Sequence, residues 1–305
     1  MKTFEPHPLL RNPHAQTLAS TFLPRRFPRL PRSVSRDFET EPGTRIRGEC
    51  HWQSIPRDRP TLVLVHGLEG SSESGYMLGL AERAFVKGWN AIRLNQRNCG
   101  GTEALTPTLY NSGLSWDYRA VLAELIEHDS LPEIFFAGYS MGGNLVLKMA
   151  GDLAGRAPSQ LRAVAGVCPT LDLGVCSDAV ALPANFIYQH HFVRNLKSRM
   201  RRKAKLFPGK FDLSPLPRVR TMREFDDQIT AKYSGFLDAA DYYAQSSAMR
   251  VAAEVRVPTL IVTSQDDPFV PFATFSNPAL ANNTHIRLIA PRWGGHCAFI
   301  SRFTG

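Results

Sequence analysis

The sequence predicts an α/β protein built on a mostly parallel sheet of eight strands, with helices on both faces and a helical cap inserted late in the chain. Three observations lead there. Short β-branched and apolar runs alternate with helical patterns through the first half of the 305 residues, which is how a parallel sheet covered on both sides reads. The alternation stops near Leu171 and resumes near Pro258. Glu133 to Asn144 runs an apolar strand into Gly138-Tyr-Ser140-Met-Gly142 and on into a helix, a bend that displays a serine for nucleophilic attack.

Taken in chain order, strands are expected at Ser33 to Glu39, Arg45 to Trp52, Thr61 to Val65, Trp89 to Leu94, Ile134 to Ala137, Ala163 to Val167, Thr259 to Thr263 and Thr284 to Ile289. No helical pattern separates the first two, so the sheet should start antiparallel. Helices are expected at Tyr76 to Val86, Trp116 to Glu127 and Met141 to Leu153. The division that follows is a core of residues 1–170 and 256–305, with an N-terminal extension over 1–32, and a cap over 171–255. Within the cap, Phe186, Val193, Leu196, Met200, Ala204 and Phe207 trace one helix face that should pack on its own domain, and a further helical stretch runs from Phe236 to Ala248.

Composition narrows the function classes. With 43% hydrophobic and 21% charged residues the chain can bury a full core without disulfides or metal. Its five cysteines, Cys50, Cys99, Cys168, Cys176 and Cys297, are scattered and show no C-x-x-C spacing, which argues against a zinc site or a secreted disulfide framework and favours a reducing cytosol. Pro6, Pro8, Pro13, Pro24 and Pro28 break the first thirty residues, excluding a secretory or transit helix, and no apolar run is long enough to span a bilayer. The net charge of +9 is concentrated in Arg25 to Arg36 and in Arg194, Lys197, Arg199, Arg201, Arg202, Lys203, Lys205 and Lys210. These read first as solvated basic faces, with peripheral contact to an anionic membrane as the lesser expectation. Nucleic acid is not an expected partner, and the sequence sets no oligomeric state.

If Ser140 is a nucleophile, an acid should follow a later strand and a histidine the last one. Asp266-Asp267-Pro268-Phe-Val-Pro271 follows Thr259 to Thr263, and Gly294-Gly295-His296 follows Thr284 to Ile289. His296 would relay the proton and a carboxylate would hold its tautomer. Asp267 is preferred because it stands four positions before a loop proline, which leaves Asp266 to brace the turn. His285, expected inside the last strand, and His190 and His191 in the cap are weaker candidates for the base. The backbone N–H of Met141, at the start of a helix, and that of Leu68, in the His66-Gly67-Leu68-Glu69 loop, would form an oxyanion hole. His66 is expected to brace that loop. Cys99, in Arg97-Asn-Cys-Gly-Gly101, is expected to be a packed thiol. No phosphate-binding glycine motif or H-E-x-x-H spacing is present, and no cofactor is implied.

With these segments assembled, the chain resembles the α/β-hydrolase superfamily. More narrowly it is similar to the YheT-like hydrolases, sharing a segment like Asn12-Pro-His-Ala-Gln-Thr17 and the loop at Arg97. The resemblance implies the α/β-hydrolase fold, a Ser140, Asp267 and His296 triad, and hydrolysis of short- or medium-chain carboxylic esters, with eukaryotic relatives acting on acylglycerols or phospholipids. A thioesterase or lipase using the same triad stays open, as does a non-catalytic protein that binds anionic surfaces. Members of this fold usually close with a helix after the histidine loop, whereas this sequence reaches Gly305 soon after Phe299.

Overall fold

The computed structural model describes residues 4–301. Its strands are β1 (Val34–Glu41), β2 (Thr44–His51), β3 (Thr61–Val65), β4 (Asn90–Leu94), β5 (Ile134–Tyr139), β6 (Leu161–Val167), β7 (Thr259–Val262) and β8 (Ile286–Ile289). They form one eight-stranded sheet in the order β1-β2-β4-β3-β5-β6-β7-β8. β2 pairs antiparallel with β1 and with β4, and the remaining neighbours are parallel. Strand ends differ from the sequence expectation by a residue or two. His285 falls just before β8 instead of inside it, its N–H held by Asn283 Oδ1 at 2.9 Å.

The helices, in chain order, are α1 (Pro13–Phe22), α2 (Gly75–Val86), α3 (Ser115–Glu127), α4 (Met141–Leu153), α5 (Leu173–Val180), α6 (Phe186–Leu206), α7 (Met222–Phe225), α8 (Lys232–Ser234), α9 (Ala239–Ser246) and α10 (Pro278–Ala281). A π-helical turn, Asp226–Ala231, separates α7 from α8. Side chains alternate across a strand, so β3 feeds two cores. Val63 and Val65 pack with Val121 of α3 and Leu145 of α4, while Leu62 and Leu64 pack with Met77 and Ala81 of α2. Helices therefore cover both faces, and every residue of β3 is buried.

Helices α5 to α9 lie between β6 and β7. They hold an apolar cluster of their own, in which Val193, Leu196 and Met200 of α6 meet Phe211, Leu216 and Phe225. Phe186, assigned by its spacing to the same face, is 66% exposed. The basic reading of α6 needs a larger correction, because Arg199 and Lys203 are buried instead of solvated. Both recur with Leu196 and Met200 at helical spacing, so they turn inward with the apolar stripe. Arg199 pairs with Glu69 at 2.5 Å and lies 3.8 Å from the Tyr110 ring centroid, and Lys203 Nζ donates to the carbonyls of Glu103 and Thr106.

The N-terminal extension contains α1, which the proline-rich sequence did not suggest. Pro13 occupies the first turn, where its missing N–H costs nothing, and Asn12 caps the helix by accepting from His14 and Ala15.

Candidate active site

Ser140 stands between β5 and α4 with φ 54° and ψ −119°, a left-sided backbone that costs about 1–3 kcal/mol for a residue with a Cβ. The surrounding close packing holds it there. A Cβ at Gly138 would lie 2.1 Å from the Gly142 carbonyl oxygen, and one at Gly142 would lie 2.4 Å from the carbonyl oxygens of Val65 and His66. Alanine normally stabilises a helix relative to glycine. At Gly142 the backbone clash reverses that sign, so Gly142→Ala should lower unfolding free energy by about 3 kcal/mol, read from urea denaturation.

The loop after β3 presses against the serine, with a Cβ at Gly67 only 3.1 Å from Ser140 Cβ. His66 holds this loop. Its buried Nδ1 lies 2.7 Å from the Gly67 carbonyl, and its Nε2 accepts from Gln96 N–H at 3.1 Å, which fixes the Nδ1–H tautomer. Burial above all pushes the His66 pKa down to about 4, so the ring is neutral near neutrality. Glu69, with φ 56°, secures the far side of the loop through Arg199 and through the Tyr110 hydroxyl at 2.6 Å. Leu68 and Met141 line the same cavity as Ser140. Among the described residues neither donates its backbone N–H to another protein group, which leaves two donors available there.

After β7, Asp267 and Asp266 have different partners. Asp267 Oδ2 lies 2.8 Å from His296 Nδ1, while its Oδ1 accepts the N–H groups of Phe269 and Val270 at 2.8 and 3.1 Å. Asp266 instead accepts from Gly295 N–H at 3.0 Å, bracing the histidine loop. Burial opposes charge on His296, but Asp267 and then Cys297 outweigh it and hold the imidazole pKa well above its ordinary value. His296 and Ser140 line one cavity. Among the described residues no hydrogen bond joins them, a looseness common before substrate binds. His190 and His191, on α6, do not line this cavity.

The sequence reading missed two supports. The Thr17 hydroxyl of α1 accepts His296 N–H at 2.9 Å, and Gln16 Oε1 accepts Ile300 N–H at 3.0 Å, so the N-terminal helix holds the histidine loop. The shared segment at Asn12 to Thr17 was the available signal, but nothing local ties it to a site about 280 residues away. Thr17→Val should lower hydrolytic kcat by about tenfold through loosened placement of His296, with a smaller change in KM. The other support is Cys297 with Cys168. One ligand atom from each of Cys168, His296 and Cys297 lies within 4.8 Å of the others, a set able to take a thiophilic metal ion.

The cavity walls are mostly apolar, with Leu109, Val180, Phe192, Leu196, Met200 and Phe225 among them. Asp226 also lines it, accepting from Thr230 and Tyr243 hydroxyls at 2.7 and 2.8 Å, and burial raises its pKa to about 6. Cys99 is buried beside Arg199, and burial pushes its thiol up to about 12.

A family model described as the alpha/beta hydrolase fold matches residues 60–303. YheT of Escherichia coli K12, by its name a candidate esterase, is 33% identical over 82% of this chain and 74% of its own length. The phospholipase ABHD3 of Mus musculus is 29% identical over 79% of this chain, which spans 59% of that protein. Among solved structures, the Pyrococcus furiosus esterase Pf2001 superposes with a TM-score of 0.56 at 14% identity, covering 87% of this chain and 84% of the other, a likeness of fold.

Proposed function

The chain belongs to the α/β-hydrolase fold family, and from that premise we propose that it is a serine hydrolase of short- to medium-chain carboxylic esters. One observation carries the reading: the Asp267 carboxylate lies 2.8 Å from the imidazole of His296, which shares a cavity with the strained Ser140. In this mechanism the acyl carbonyl sits with its oxygen toward the N–H groups of Leu68 and Met141. His296 Nε2 removes the Ser140 proton as Oγ attacks, and the positive charge formed on the imidazole is balanced by Asp267. The two N–H donors stabilise the oxyanion, each worth on the order of 3 kcal/mol. The imidazolium then protonates the departing alcohol, and water resolves the acyl-serine by the same relay. The acyl chain packs against Phe192, Leu196 and Met200.

The test is labelling of the chain by a fluorophosphonate, together with a panel of p-nitrophenyl esters of increasing acyl length and matched acyl-thioesters. Labelling that disappears in Ser140→Ala, with turnover of the oxygen esters, supports the reading. Thioesters turned over in their place would move the chain to the thioesterase class. Absence of both labelling and turnover would leave the fold without this chemistry.

Among the described residues no helix is long and apolar enough to cross a membrane. The exposed cations of α6, Arg194, Arg201 and Lys205, support peripheral contact with anionic lipid as a secondary part of this reading.

A further inference from the structure

Cys297 follows the proposed base directly, and Cys168 ends the β6 edge of the site. Their sulfurs lie within 4.8 Å of each other and of a ring nitrogen of His296. Cys297 N–H donates to Cys168 Sγ at 3.3 Å, so the backbone of one cysteine lies against the sulfur of the other. Both residues hold positive φ, 44° at Cys168 and 57° at Cys297, a costly backbone for side chains of any size and one that persists where structure or function demands it. Cys168 is fully buried, whereas Cys297 is partly exposed. The remaining thiols lack this setting. Cys50, Cys99 and Cys176 are buried, and no other pair of cysteines among the described residues joins a cluster with a histidine.

We propose that Cys168 and Cys297 form a reversible, peroxide-driven disulfide that switches the hydrolase off by displacing His296. The switch rests on the hydrolase reading for its consequence, but its thiol chemistry stands apart from it. Cys297 is the partly exposed member of the pair and the one that peroxide reaches first, so Cys297 is the attacking sulfur. Cys168, fully buried with its sulfur against the Cys297 backbone, is the resolving partner. The Cys297 thiolate attacks one oxygen of hydrogen peroxide, the O–O bond breaks, and the departing hydroxide takes the imidazolium proton as water. Cys168 sulfur then attacks the Cys297 sulfenic sulfur, the S–O bond breaks, and a second water leaves with the Cys168 proton. Two thiols are oxidised and one peroxide is reduced to two waters. Closing the S–S bond to about 2.05 Å draws the backbone that His296 shares toward β6. A shift of about 1 Å in a reacting group costs on the order of 100-fold in rate.

The experiment treats the full chain with hydrogen peroxide in the presence of a chelator, so that metal capture by the same three residues contributes nothing. Expected is a peptide linking residues 168 and 297 in the non-reduced digest, a fall in ester hydrolysis of about 100-fold, and recovery of both by dithiothreitol. Cys168→Ser should form no link and should instead yield a dimedone adduct at Cys297. In Cys168→Ser/Cys297→Ser, peroxide should leave the rate at its own untreated value. A wild type without the linked peptide after peroxide, a linked protein with unchanged turnover, or equal peroxide loss in the double variant would each overturn the switch. If no ester is turned over at all, the linked peptide still reports on the thiol pair, and the failure belongs to the hydrolase reading.

Discussion

Ser140→Ala is expected to lower kcat for ester hydrolysis by about 10⁶, and His296→Ala should cost nearly as much. The two losses should not add. Without Oγ there is no proton for the imidazole to take, and without the imidazole the hydroxyl is a poor nucleophile, so the double variant should match either single one. A residual rate of about 10³ over water should survive in all of them, because Leu68 and Met141 donors and the cavity remain. Folding should be unaffected at Ser140, where the strain comes from the backbone and the glycines that allow it. Single-turnover kinetics on the three variants checks this. Losses that multiply would mean that the two side chains act on separate steps and do not form one relay.

Much of the fold around Ser140 is legible in the sequence. Local signals placed β3 and β5, whose apolar runs end in Gly67 and Gly138, because a strand buried on both faces and a glycine at a crowded turn both leave marks within a few residues. The preference for Asp267 over Asp266 used only loop spacing, and the geometry sets Asp267 against the imidazole and Asp266 against Gly295 N–H. What escaped was set by tertiary packing. Arg199 and Lys203 look like solvent charges in a basic run, and only the 3.6-residue repeat shared with Leu196 and Met200 hinted that they point inward. Their partners, Glu69 and the carbonyls of Glu103 and Thr106, come from loops about 100 to 130 residues away, for which no periodicity speaks. The same holds for Thr17 on His296 and for Cys168 beside Cys297.

The paired acids give the second large expected effect. Asp267→Asn should reduce kcat by about 10⁴, while Asp266→Asn should cost tenfold or less. An amide at position 267 offers a donor as well as an acceptor toward Nδ1, so the imidazole can settle in the tautomer that puts its proton on Nε2, where it cannot accept from Ser140. At position 266 an amide oxygen still accepts the Gly295 N–H, so the loop stays in place. The pH profile separates loss of orientation from loss of charge. In the proposed relay His296 works only when neutral, and Asp267 and Cys297 raise its pKa against the opposing effect of burial, so wild-type kcat/KM should rise with pH through an acid limb above the ordinary imidazole range. Removing the Asp267 charge lowers that pKa, which must move the acid limb toward lower pH even as the maximum rate falls. Asp266→Asn should leave the limb where it is. If the limb stays fixed in Asp267→Asn while the rate collapses, the carboxylate orients the ring without setting its charge, and the titrating group lies elsewhere in the site.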